Sequence, residues 1–157
     1  MSTHPRTAAN IRQRTAVAPA PLPTSPLPSR EAMAARRKTA AEIAALLRLA
    51  ELDAAALRRP AGDRPAALDA SADERRTLGT RISREVLDAY HRAMRGGRQP
   101  AVTRVVGSVC YGCFVRLHAK LDHQVRHHRG VGSCPHCLRV VYDPAWLEDP
   151  SKGALER

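Results

Sequence analysis

The chain has 157 residues, enough for one ordinary domain, but only 3% are aromatic and much of the 43% hydrophobic fraction is alanine, which buries little area. These proportions exclude a large single core and favour elongated helices with a metal-stapled module, because a small module without sufficient core needs a metal or disulfides. The formal charge of +11, from 26 Lys and Arg against 15 Asp and Glu, favours a polyanionic partner such as nucleic acid, and no stretch approaches the roughly 20 apolar residues of a membrane span.

Residues 1–29 read as a disordered, proline-rich tail. Pro19, Pro21, Pro23, Pro26 and Pro28 arrive nearly every second residue; each removes a backbone donor and keeps its predecessor out of the helical conformation. We read the tail as a spacer rather than a docking ligand. No apolar core of a secretory signal is present, so a cytoplasmic location is expected. There thiols stay reduced, and paired Cys-x-x-Cys motifs bind metal more often than they form disulfides.

Residues 30–97 are expected to form an antiparallel, coiled-coil-like helical hairpin. Ser29, with Glu31 in the first turn, opens a helix that Pro60 closes. Ile43, Leu46 or Leu47, Ala50, Ala54 and Leu57 recur at three- and four-residue spacing on one face, with Leu49 and Leu52 off it. Gly62, Pro65 and two aspartates predict a loop from Pro60 to about Ala70. Ser71, followed by Asp73 and Glu74, predicts the cap of a second helix carrying Leu78, Ile82, Val86, Ala89 or Tyr90, and Ala93 or Met94, and ending at Gly96-Gly97. Two helices of similar length joined by a short loop bury their stripes most cheaply against each other.

Residues 98–147 change pattern. Val102, Val105, Val106 and Val109 suit a short strand leading into Cys110, and Leu138 to Tyr142 a second one closed by Asp143-Pro144. Trp146 is expected to pack on this module, ahead of a polar C-terminal tail over 148–157. All four cysteines, Cys110, Cys113, Cys134 and Cys137, stand in two Cys-x-x-Cys pairs with twenty residues between them, the spacing of a zinc site. Four thiolates complete a tetrahedral shell and leave no position for water or substrate, so the expected Zn²⁺ is structural. Iron in the same shell is the alternative. A redox dithiol would sit beside a βαβ pattern, which is absent.

His118, His123, His127, His128 and His136 fall within or between the pairs; with four sulfurs completing the count, they are assigned to the surface or to support of the ligands. Arg116, Lys120, Arg126, Arg129 and Arg139, against Asp122 alone, make the twenty-residue insert and its flanks the candidate phosphate-contacting face. The stretch from Leu117 to about His128 reads as a helix or an extended loop. No phosphate loop, nucleophile elbow or open metal site appears, so an enzyme and a small-molecule substrate are not expected.

The run LDAYHRAMRGG, VTRVVGSVCYGC and CPHCLRVVY resembles the C4-type zinc-ribbon domain family of bacterial proteins with an N-terminal coiled-coil hairpin. Tyr90, Val105, Cys110, Gly112, Cys113, Cys134, Pro135, Cys137 and Tyr142 carry the resemblance. Leu117-His118-Ala119 stands where the family often has a Leu-Pro-Pro-like segment, and Leu138 where a glycine usually follows the last cysteine. The DksA/TraR type, also a helical hairpin joined to a four-cysteine finger, is similar more weakly. The resemblance implies nucleic-acid binding or an adaptor or chaperone role toward transcription and export factors.

The combined expectation is a mainly α protein with a small β zinc ribbon. Its partner is nucleic acid or a transcription-related protein, with a protein partner on the hairpin as the alternative.

Overall fold

A computed structural model of the chain describes residues 29–148. The proline-rich tail, apart from Ser29, and the C-terminal tail, apart from Glu148, lie outside the described residues. Ser29 caps the first helix, α1 (Arg30–Leu57), by accepting the Ala32 N–H at 3.2 Å. The buried side of α1 comprises Ile43, Ala45, Leu46, Leu49, Asp53 and Ala56. The apolar face is therefore rotated from the one expected: Leu49 is in the core and Leu57 is 39% exposed. The face continues through Asp53, a charged side chain that hydrophobic periodicity passes over.

The return arm is three helices rather than one. Ala61–Asp63 makes a 3-10 turn and Arg64–Ala70 forms α2, so the expected loop is largely helical. Pro65 stands in the first turn of α2, where its missing N–H costs no hydrogen bond. Ser71 precedes α3 (Ala72–Gly79), but its hydroxyl donates back to the carbonyls of Ala67 and Leu68 at 3.1 Å instead of capping forward. Thr80 closes α3, and α4 (Arg84–Arg95) starts afresh after Ser83, whose backbone is extended. Glu42 of α1 accepts the Ser83 N–H at 2.8 Å, so α1 itself holds the break open. Arg75 against Asp53, Glu74 against Arg48 and Ser83 against Glu42 show the arm running antiparallel to α1.

Beyond the break, α4 turns onto a four-stranded mixed sheet. β1 (Val102–Val106) and β2 (Val109–Cys110) form a tight hairpin through Gly107 and Ser108, both at positive φ. β3 (Val131–Ser133) pairs antiparallel with β4 (Val140–Tyr142), and β4 pairs parallel with β1, giving the order β2-β1-β4-β3. Between β2 and β3, α5 (Ala119–Gln124) runs into a π-helical turn over Val125–Arg129.

Alternation along the strands divides the apolar residues between two sides of the sheet. Val102, Val131 and Val140 join Ile43, Leu46, Leu49, Leu78, Ala89, Tyr90 and Ala93 in one cluster under the helices. Val105 and Val141 face the other way, into a cluster with Leu121, Val125, Cys110, Cys134 and Cys137. The helical arm and the sheet thus share a core, and the cysteines sit on the far side of the sheet. Trp146 packs against the helix-side cluster, as expected, and donates its indole N–H to the Val125 carbonyl at 2.9 Å.

Candidate metal centre

The two Cys-x-x-Cys segments fold into equivalent loops. The Cys110 carbonyl accepts the Phe114 N–H at 2.7 Å while the Cys110 N–H donates to the Val115 carbonyl at 3.0 Å. In the second loop the Cys134 carbonyl accepts the Leu138 N–H and the Cys134 N–H donates to the Arg139 carbonyl, both at 2.9 Å. Phe114 and Leu138, each following the second cysteine of its pair, adopt left-handed φ of 59° and 61°. That turn aims both sulfurs of a pair to one side, and it explains why glycine suits the position held here by Leu138.

The four Sγ atoms all lie within 4.8 Å of one another, and the Cys110–Cys137 and Cys113–Cys134 separations are 3.8 Å. A tetrahedral ion with metal–sulfur bonds of about 2.3 Å, as zinc makes, has sulfur–sulfur edges of about 3.8 Å. The donor set can therefore hold a metal ion, and no disulfide joins the four cysteines. Cys110, Cys134 and Cys137 are buried. Burial pushes the Cys110 thiol up to about 12 and raises that of Cys134. At Cys137 burial also pushes upward, but hydrogen bonds from the Arg139 backbone N–H and guanidinium outweigh it and bring the thiol down to about 7.

None of the five histidines joins the sulfurs. His118 caps α5, its Nδ1 accepting the Leu121 N–H at 3.2 Å. His123, His127, His128 and His136 are exposed.

The basic residues singled out in the sequence fall into two groups. Arg116 and Lys120 are exposed. Arg126 pairs with Asp122 at 2.9 Å, and Arg129 donates to both Glu85 oxygens at 3.0 Å, linking the π-turn to α4. Arg139 is a clamp: its guanidinium donates to the carbonyls of Pro100, Gly112 and Gln99 at 2.9, 3.0 and 3.3 Å, tying the approach to β1 to the first cysteine loop. A Cβ on Gly112 would lie 2.7 Å from the Arg139 Cδ, so glycine makes room for the clamp.

Periodicity and motif spacing did not reveal Arg104, whose guanidinium lies 4.7 Å from the centre of the Tyr111 ring. Tyr111 in turn stands 5.9 Å from Phe114, which is 75% exposed. From the sequence alone Tyr111 and Phe114 are too few rings to argue for base stacking; that Arg104 lies over Tyr111 emerges only from the β1–β2 pairing in the fold.

No protein-family model matches the chain, and no curated protein matches it. A solved structure, that of the HP0958 protein from Helicobacter pylori, is similar over 52% of this chain at 21% identity, with a TM-score of 0.41. This chain covers 35% of the length of that one, and the likeness is too distant to carry an argument.

Proposed function

We propose that the protein is a non-enzymatic, zinc-stapled module that binds nucleic acid through the face beside the cysteine loops. The 3.8 Å sulfur edges and an all-thiolate donor set suit Zn²⁺ in a closed shell, which fixes structure and leaves no position for substrate. Metal analysis of the purified protein tests this; iron in place of zinc would overturn the assignment.

The observation that carries the binding reading is the grouping of two exposed rings and two arginines around the first loop. Tyr111 and Phe114 offer π-faces, Arg104 lies over Tyr111, and Arg116 is bridged to Val109 on the same hairpin. From Arg92 to Tyr142 the chain holds nine Lys or Arg against Asp122 alone. Stacking rings with flanking cations is how single strands are held with little sequence preference.

The test is titration of labelled single-stranded oligonucleotide and duplex at rising salt. Affinity should fall linearly in log–log form, by about 0.7 per phosphate contact for a single strand. Reversing charge at Arg104, Arg116 and Lys120 should weaken binding. Arg126 and Arg129 are poor choices because they hold Asp122 and Glu85. Binding that is absent or indifferent to salt overturns the reading.

A protein adaptor is the second reading, favoured by the same exposed Phe114 and Leu138, 75% and 52% accessible. It takes a different form from an apolar hairpin face, since Ile82 is only 6% exposed and spent in the core. A partner that is retained at high salt and lost on Phe114→Ala would support it.

A further inference from the structure

The three histidines of the insert are brought together by an irregularity of the helix. His127 follows His123 by four residues, the spacing that stacks side chains on an α-helix. His128 follows by five and would ordinarily point elsewhere. The chain turns π-helical from Val125, however, and the wider winding of its i→i+5 hydrogen bonding brings residue i+5 round toward the face of residue i. The His123 ring consequently lies 4.9 Å from both the His127 and the His128 rings, centre to centre, tilted by 49° and 53°.

Each of the two separations from His123 is one that a shared ion needs, and the ion would set the third, between the adjacent His127 and His128, by rotation of their rings. A metal–nitrogen bond of about 2.1 Å plus about 1.1 Å to the ring centre puts each centre about 3.2 Å from the metal, and angles of about 90–110° give centre separations of about 4.5–5.2 Å. Among the described residues only the cysteine set has its ligand atoms already within 4.8 Å of one another. The imidazoles are exposed, and their terminal torsion is broad, so turning the nitrogens inward needs only side-chain rotation. The neighbouring guanidinium groups oppose a cation less than their number suggests, because Arg126 is paired with Asp122 and Arg129 with Glu85; Lys120 is exposed one turn away.

We propose that His123, His127 and His128 form a second metal site, exchangeable and separate from the four cysteines, for an imidazole-preferring divalent ion such as Zn²⁺, Ni²⁺ or Cu²⁺. Three nitrogens leave at least one coordination position open, unlike the closed sulfur shell. A bound ion would join α5 to the π-turn.

The experiment uses the full chain without an affinity tag, first given one equivalent of Zn²⁺ to fill the cysteine site. It is then titrated with Co²⁺ or Ni²⁺ by calorimetry, above the ordinary imidazole pKa of about 6.5. One further equivalent is expected, without the sulfur-to-cobalt charge-transfer absorption that exchange into the cysteine site would produce. The combined variant His123→Gln, His127→Gln, His128→Gln should lose that equivalent, while His118→Gln with His136→Gln should keep it. His123→Gln alone should weaken it at least as much as the roughly 10–100-fold that losing an outer-shell partner costs. No further uptake by the zinc-loaded wild type, or one further equivalent still taken up by the zinc-loaded combined variant, overturns the proposal. Should the combined variant misfold, imidazole NMR of the wild type decides: Ni²⁺ broadening centred on these three rings supports the site, and uniform or absent broadening overturns it.

Discussion

Asp53 lies 6% exposed in the helical core, where its two carboxylate oxygens accept from Arg75 of α3 and from the Tyr90 hydroxyl of α4. Burial, with the carboxylate beside it, pushes the Tyr90 phenol well above its ordinary range, so it stays protonated and donates. Removing one member of such a group strands the others. Asp53→Ala should cost about 3 kcal/mol or more in urea unfolding, against about 1.5–3 kcal/mol for Tyr90→Phe, which removes one hydrogen bond to the buried charge. Asp53 does fall on the three- and four-residue spacing of α1; its charge hid it, because periodicity counts only apolar residues. Leu138 makes the opposite prediction. A non-glycine residue at left-handed φ costs about 1–2 kcal/mol, and its half-exposed side chain gives little back. Leu138→Gly should therefore raise the melting temperature slightly, even after glycine's greater freedom in the unfolded chain is counted.

At the scale of elements, the cysteine loops, the strand ending at Tyr142 and the Ser29 cap were legible because each depends on local chemistry. The break at Thr80–Ser83 was not, since it depends on Glu42 reaching across from α1. β3 was hidden too: Val131-Gly132-Ser133 is short and contains glycine, and it is a strand because β4 pairs with it. Its glycine serves packing, as a Cβ there would lie 2.7 Å from the Leu121 Cδ1 of α5. Gly130 is more demanding. It sits at φ +68°, and a Cβ would meet Thr39 and, at 3.0 Å, Ile43 of α1. Gly130→Ala combines backbone strain with a clash between the π-turn and α1, and should destabilise by about 2 kcal/mol or more in denaturant titration.

For the whole molecule, the shared core links metal to helices. Val140 and Val141 are neighbours on β4, yet one packs under α1 and α4 and the other against the cysteine side. Chelation of the metal should consequently melt the sheet and loosen the helical arm together, seen as loss of helical circular dichroism coincident with a change in Trp146 fluorescence. Acid should act the same way. Metal binding requires thiolates, so protons compete with it, and affinity falls as pH falls. Above about 7 Cys137 is already ionised in the metal-free fold, whereas Cys110, held up to about 12, must still release its proton. The fall in affinity should steepen by about one proton as pH drops through 7, which a competition titration against a chromophoric chelator measures.

The parallel pairing of β1 with β4 also sets the order in which the chain can be finished. Val102 meets Val140, and everything between them, both cysteine loops and the insert, must be synthesised before that ladder closes. Contacts so far apart in sequence slow the search for the native state. A nascent chain ending before Val140 has α1 and α4 complete but one wall of their core missing. Ribosome-stalled chains truncated on either side of β4 should thus differ sharply in protease resistance of the helical arm.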